Sequence, residues 1–260
     1  MITNDSFQMR KNIGFSGGFS NLFYMEMSRW WKSKHWIFQI ILWSGIINLS
    51  MISLLIRNPT ELDVSKILGI FFGFPPTIGV VIIMGEVILG ERNAGTIQWI
   101  ISKPCSRTAF LSSKLLSNSL GVVVSMVYIP GITVYFLIMF VGKIQFDFLS
   151  YVTGLSIISL ILIFYLTLSI MLGTISNQNS LVIGLPILFN FGILSFLQNI
   201  REFFAFFPHG LFFPISSEYS LFSSVVMRLP IETFMPIVIT LGLIIIFILI
   251  SLYKFNKEEF

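Results

Sequence analysis

The stretch Gly90–Lys114, GERNAGTIQWIISKPCSRTAFLSSK, decides how the rest of the chain is read. It holds four basic residues and one acid, and long apolar runs flank it on both sides. Positive charge in a short connection between two apolar runs places that connection on the cytoplasmic side of a membrane. After Gly95 the apolar residues Ile97, Ile100 and Ile101 fall at i, i+3 and i+4, with Gln98 and Ser102 opposite. That pattern predicts a short amphipathic helix. Pro104 ends it, because a proline ring clashes with the preceding turn. A helix lying at the interface between two spans is a surface on which a membrane subunit can meet a soluble motor.

Outward from this stretch the composition is that of a bilayer protein. Hydrophobic residues make up 55% of the 260 and charged residues only 11%, against about 25% charged in a soluble domain. The apolar blocks are near ~20 residues long, the length that carries a helix across ~30 Å of hydrocarbon. The alternating segments of a transmembrane barrel are missing from the sequence. The expectation is an all-α polytopic integral membrane protein with six transmembrane helices. They fall at about 36–56, 67–89, 115–141, 151–172, 181–197 and 234–252, with boundaries loose by roughly 2–4 residues. One transmembrane domain would cover 19–260, and 1–18 would form a disordered tail. No cleavable signal peptide is expected, since the first 35 residues are polar and mixed. The single Cys105 excludes an intrachain disulfide and a cysteine-rich metal site.

Charge sets the orientation. With the N-terminus inside, the cytoplasmic segments hold Arg10, Lys11, Arg29, Lys32, Lys34, Arg92, Lys103, Arg107, Lys114, Lys254 and Lys257. The outer segments hold Arg57, Lys66, Lys143, Arg201 and Arg228. This asymmetry puts both termini in the cytoplasm. It also accounts for the net charge of +4 without a nucleic-acid partner. Before span one, Phe19, Leu22, Phe23, Met27, Trp30 and Trp31 follow helical spacing on one face. This predicts an amphipathic helix in the inner interface, with tryptophans at headgroup level. Between spans five and six, Phe203, Phe204, Phe206, Phe207, Phe212 and Phe213 are broken by Pro208, Gly210 and Pro214. That segment is too apolar for a solvated loop and too broken to span, so an interfacial or re-entrant element is expected.

Catalytic chemistry is poorly represented. The chain has no GxxxxGK[ST] phosphate loop and no HExxH motif. Its two histidines, His35 and His209, lie outside the spans and read as surface or interface residues. The chain is therefore not expected to be an enzyme. Glu86 is the one ionisable residue well inside a span, one turn from its cytoplasmic end. Intramembrane charge is by default a functional signal. Glu86, Asn48 and Asn190 are candidates for lining a transport path, although amides such as Asn48, Asn118 and Asn190 also serve helix-to-helix hydrogen bonding. In span two, Gly69 and Gly73 form a small-xxx-small pair that permits close contact, and Pro75-Pro76 should kink the helix. A kinked span leading straight into the charged connection could transmit motion.

The run from Gly85 to Lys114 resembles the permease subunits of type-2 ABC transporters. Those families show an acid, then Gly-Thr, an apolar helix, a small residue, a proline, a basic residue and a lysine at the start of the next span. Here these are Glu91, Gly95-Thr96, Ile97 to Ile101, Ser102, Pro104, Arg107 and Lys114. The resemblance implies a cytoplasmic coupling helix between spans two and three that touches a separate nucleotide-binding subunit. By it, Glu91 would offer its carboxylate to a basic group of that subunit or pair locally with Arg107. Gly95 would allow a close approach or a sharp turn, Thr96 would cap the helix, and Pro104 would end it. Arg107 and Lys114 would anchor to lipid phosphate or pair with acids. The helix with Glu26, Arg29, Trp30 and Trp31 would correspond to the family's interfacial connecting helix.

The resemblance further implies an exporter in a prokaryotic plasma membrane. A second permease, identical or related, and a pair of ABC ATPase subunits would complete it. Lipid would surround it, ATP and Mg would sit on the ATPase, and this chain would carry no cofactor. Two other readings stand beside this one: a secondary carrier driven by an ion gradient, and a non-transporting membrane scaffold or immunity protein.

Overall fold

The computed structural model describes residues 18–95, 105–197, 205–214 and 219–257, without the side chains of Glu86 and of 193–197. The expected tail and the predicted amphipathic helix Ile97–Ile101, with Thr96 and Pro104, lie outside the described residues. So do Phe203 and Phe204.

Every regular element among the described residues is helical. The chain opens with α1 (Phe19–Lys32) and turns through Ser33 and Lys34 into α2 (His35–Leu55). Then come α3 (Glu61–Gly73), α4 (Pro75–Asn93) and α5, which runs unbroken over Arg107–Gly142. After α6 (Phe148–Ile175) and α7 (Asn179–Leu197) come a 3-10 turn at Pro208–Leu211, the short α8 (Leu221–Val226) and α9 (Met235–Lys257).

Five stretches are helical, long and apolar enough to cross a membrane: α2, α3 with α4, α5, α6 and α9. The helix α7 takes the place of the expected fifth span. It is apolar but falls short over Asn179–Gly192, the part whose side chains are described.

Local chemistry explains where these helices begin. Polar side chains stand at the ends of apolar runs and accept backbone N–H groups that have no intrahelical partner. Thr60 and Asp63 form a reciprocal capping box at the start of α3. Ser106 accepts from Ala109 N–H at 3.0 Å, Asp147 from Ser150 N–H at 2.9 Å, and Ser220 from Ser223 N–H at 3.1 Å.

Proline explains where the helices deform. Span two breaks at Phe74, directly before Pro75-Pro76, as the sequence predicts. In α5 the ring of Pro130 sits just beyond a π-helical stretch, Val123–Tyr128, whose wider winding accommodates the lost N–H.

The helix α6 is the central post. Over its apolar window 72% of residues are buried, against 17% in α2 and 22% in α9. Its neighbours α4, α5, α8 and α9 all pack on it. The outer faces of α2 and α9 carry exposed Ile41, Leu49, Val238 and Leu249, as lipid-facing helices do.

The glycine pair in α3 works differently from the expected helix-to-helix contact. A Cβ on Gly73 would lie 2.4 Å from the ring of Phe212, and one on Gly69 3.1 Å from the ring of Phe222. The missing side chains therefore make room for aromatic rings of the segment before α9. The turn Pro208–Leu211 of that segment is buried against the bundle, while Phe206 just before it is exposed.

Candidate functional site

Three helix ends meet where the connection 94–106 leaves and re-enters the bundle. There α1 lies against α5 beside the end of α4, and together they gather four charged side chains: the buried Glu26 of α1 and Lys114 of α5, the largely covered Glu91 of α4 and the exposed Arg29 of α1. Lys114 Nζ donates to Glu91 Oε1 at 2.7 Å and to Glu26 Oε1 at 3.1 Å. Arg29 Nη1 donates to the same Glu91 oxygen at 2.8 Å and lies 3.5 Å from Glu26 Oε1.

The group is formally neutral, with two carboxylates and two cations. Burial differs sharply within it. The Lys114 side chain is 1% exposed and that of Glu26 7%, while Arg29 is 57% exposed. The ammonium of Lys114 also sits 5.2 Å from the centre of the Phe110 ring. The Arg29 guanidinium is held above its ordinary pKa, first by its hydrogen bond to Glu91 and also by the Glu26 charge.

The energetics follow from this burial. Desolvating two ion pairs is expensive, and the attraction offsets it only when each charge is matched. The cluster therefore adds little net stability but fixes a geometry: α1, α4 and α5 cannot slide apart without stranding a charge. Its sequence signal is weak, because Glu26 and Lys114 lie 88 positions apart. Helical periodicity on α1 places Glu26 on the face of Trp30, one turn away, but cannot name its partner.

Further contacts surround the root of the connection. Arg92 donates to Asn177 Oδ1, tying the end of α4 to the turn between α6 and α7. Arg107 donates to the carbonyls of Asn256 at 3.0 Å and Phe255 at 3.3 Å, at the end of α9. The helix α1, the connection 94–106, the turn 176–178 and the C-terminal end of α9 thus share one end of the bundle. Gly95 has φ +67° and open space where a Cβ would stand. Of the two roles foreseen for it, the sharp turn is the one its geometry requires. Trp30 packs its indole over Gly121 of α5, whereas Trp31 is half exposed and stacks edge-on against Trp36.

The candidate path residues separate. Asn48 donates to Ser44 O at 2.7 Å and to Thr133 Oγ1 at 2.9 Å, joining α2 to α5. Asn118 donates to the carbonyl of Lys114 within its own helix. Glu86 lies on α4 between the two ends, and its side chain is not described.

Asn190 is the centre of a second buried group. Its Nδ2 donates to Thr77 Oγ1 at 2.9 Å, and its Oδ1 accepts from Tyr165 Oη at 3.1 Å. His209 Nε2 lies 3.1 Å from the same Oδ1. This neutral group links α4, α6, α7 and the 3-10 turn. Of the surface and interface positions expected for His209, the surface one is excluded, since the residue is completely buried among Tyr165, Phe189 and Phe212. Nothing in the sequence marks Thr77, Tyr165 and His209 as partners, because they lie on three separated elements. No group of three or more metal-ligating side chains occurs among the described residues.

Comparison with known proteins adds a family. No curated protein matches the chain significantly. The family model described as ABC-2 family transporter protein matches residues 4–260. That match covers nearly the whole chain, including both polar groups and the connection 94–106 beside the charged one, and the chain therefore belongs to the ABC-2 family of transporter proteins.

Proposed function

We propose that this chain is the membrane permease subunit of an ATP-driven ABC exporter in a prokaryotic plasma membrane. It would work as a dimer with a second permease and with a pair of separate ATPase subunits, which hold ATP and Mg. In this reading the chain makes six crossings, α7 included, with both termini and the connection 94–106 in the cytoplasm.

One observation carries the reading. The connection is clamped at both roots, by Glu91 on the way out and Lys114 on the way back, and the same two residues grip α1 through Glu26 and Arg29. A push on the connection therefore acts on α4 and α1 together. The 19 residues of α4 form a rod about 28 Å long. It runs from Glu91 to the break at Phe74, beside the Thr77–Asn190 hydrogen bond. Closure of the ATPase pair would tilt this rod about the break and alter access at the permease interface. The connection is the contact surface, the ion cluster is the joint, and Pro75-Pro76 is the hinge.

The test is a mild-detergent pulldown of the tagged protein from its native host, followed by mass spectrometry. A near-stoichiometric soluble ATPase is expected with the wild type. It is expected to be lost when Ile97 and Ile100 are both replaced by Asp, which leaves the buried cluster untouched. Recovery of the intact protein without any ATPase in repeated preparations would overturn the reading.

A further inference from the structure

We infer that the cavity between α1, α2, α4 and α5 is a binding site for an anionic phospholipid of the leaflet that carries α1. The cavity has a volume of about 440 Å³ and two chemically distinct sides. Its mouth is polar, with Arg29, His35, Gln39 and Asn118 on the wall. Its floor is formed by Ile83 and Val87 of α4, and the neighbouring Ile82 is 51% exposed, so the apolar side opens towards hydrocarbon.

The charge at the mouth is positive. Lys32 and Lys34 are exposed at the corner between α1 and α2, on either side of the cavity residue Ser33. Arg29 is more than half exposed, and its contacts with Glu26 and Glu91 all use Nη1. The acid in the wall, Glu26, is 7% exposed and already takes a hydrogen bond from Lys114. Arg29 in the wall and the exposed Lys32 and Lys34 on either side of Ser33 thus put three cations at this corner, and the wall holds no open carboxylate. Trp31 and Trp36 pack together beside them, where amphipathic rings favour the interface.

A diacyl lipid with a phosphodiester headgroup satisfies both sides at once. Its phosphate meets Arg29 and the two lysines, and an acyl chain covers Ile82, Ile83 and Val87. A free phosphate would leave the apolar wall bare. The site is separate from the ATPase contact and does not depend on it. Only the assignment of this leaflet as cytoplasmic rests on the orientation proposed above. A lipid here would wedge between α1 and α2 and hold Arg29 towards Glu91.

Trp30 lines the cavity, and protein that keeps Trp30 and carries Trp31→Phe, Trp36→Phe, Trp43→Phe and Trp99→Phe makes it the reporter. This full-length protein is reconstituted in phosphatidylcholine vesicles containing increasing fractions of phosphatidylglycerol with brominated acyl chains. Brominated phosphatidylcholine is the control, and tryptophan fluorescence is read. Half-maximal quenching is expected at a several-fold lower fraction of the anionic lipid. Lys32→Gln with Lys34→Gln, which spares the buried cluster, should weaken that preference by about fivefold for each lysine removed. Ile83→Phe should fill the floor and abolish the saturable quenching, although every surface charge remains.

Equal quenching of the Trp30 reporter by both lipids would overturn the inference, as would an undiminished preference in Ile83→Phe. Displacement of the anionic lipid by inorganic phosphate at matched ionic strength would overturn the lipid as occupant and assign the mouth to a soluble anion.

Discussion

The helix α4 carries a buried polar group near each end, and the two are built on opposite principles. At Glu91 the group is fully charged and joins α1, α4 and α5. At Thr77, about 21 Å away along the same helix, it is neutral and joins α4, α6, α7 and the 3-10 turn through Asn190. A neutral hydrogen bond in an apolar interior is worth about a kcal/mol and tolerates small shifts. A buried ion pair loses far more when a partner is removed than it contributes when intact. The charged group therefore acts as a rigid joint with one permitted arrangement, and the neutral group as a softer contact on which a hinge can turn. Their placement matches the proposed direction of movement, from the connection 94–106 towards the break at Phe74.

The largest effect should come from the joint. Lys114→Met leaves Glu26 and Glu91 to share only the exposed Arg29, strands the buried Glu26 charge, and should destabilise the protein by about 3–5 kcal/mol, seen as early thermal unfolding in detergent. Adding Glu26→Gln and Glu91→Gln should recover most of that loss. A single Lys114→Met that melts like the wild type would end the description of the cluster as a joint.

At the other end Asn190→Leu removes the shared partner of Thr77, Tyr165 and His209, and should cost about 1–3 kcal/mol. Thr77→Val removes two bonds, the one its hydroxyl donates to Phe74 O and the one it accepts from Asn190 Nδ2, and should cost about 1–2 kcal/mol. If the Asn190 change proved as damaging as Lys114→Met, the contrast between rigid joint and soft contact would collapse.

An exposed ion pair supplies the control. Arg228 Nη2 lies 2.6 Å from Asp147 Oδ2, with both side chains open to solvent. Arg228→Gln should leave the melting temperature unchanged within error, because solvent screens such pairs. The Asp147 carboxyl is held below its ordinary pKa, first by the Ser150 N–H, then by the Ser150 hydroxyl and Arg228. A depressed folded pKa means that its contribution is present above about pH 4, the unfolded value, and is lost as pH falls through the folded value. Asp147→Asn should remove that contribution at neutral pH and with it the acid limb, and a variant that loses stability on acidification just as the wild type does would contradict it.

Much of the fold was legible because bilayer chemistry writes it directly into composition. Runs such as Phe148–Ile175 admit few alternatives to a buried helix, and Pro75-Pro76 marked the break within one residue. The burial of the turn Pro208–Leu211 was readable from phenylalanine density interrupted by proline and glycine. The Gly69–Gly73 pair was legible as a close contact but not as a seat for Phe212 and Phe222, since small residues declare space and not its occupant. His209 read as a surface or interface residue because a lone histidine carries no periodic signal, yet the fold buries it completely.

The sequence by itself determined that this is a helical membrane protein, where the main helices lie, where span two breaks, and that Glu91, Arg107 and Lys114 frame one charged connection. These follow from local rules: apolar length, helical period and proline sterics. Only the tertiary structure decided that Lys114 bridges Glu26 and Glu91, that Asn190 gathers Thr77, Tyr165 and His209, and that α1, the connection and the end of α9 share one end of the bundle. Those pairings join positions up to 149 residues apart. Nothing local specifies them, because a buried charge or amide requires a partner but does not say which helix will bring it.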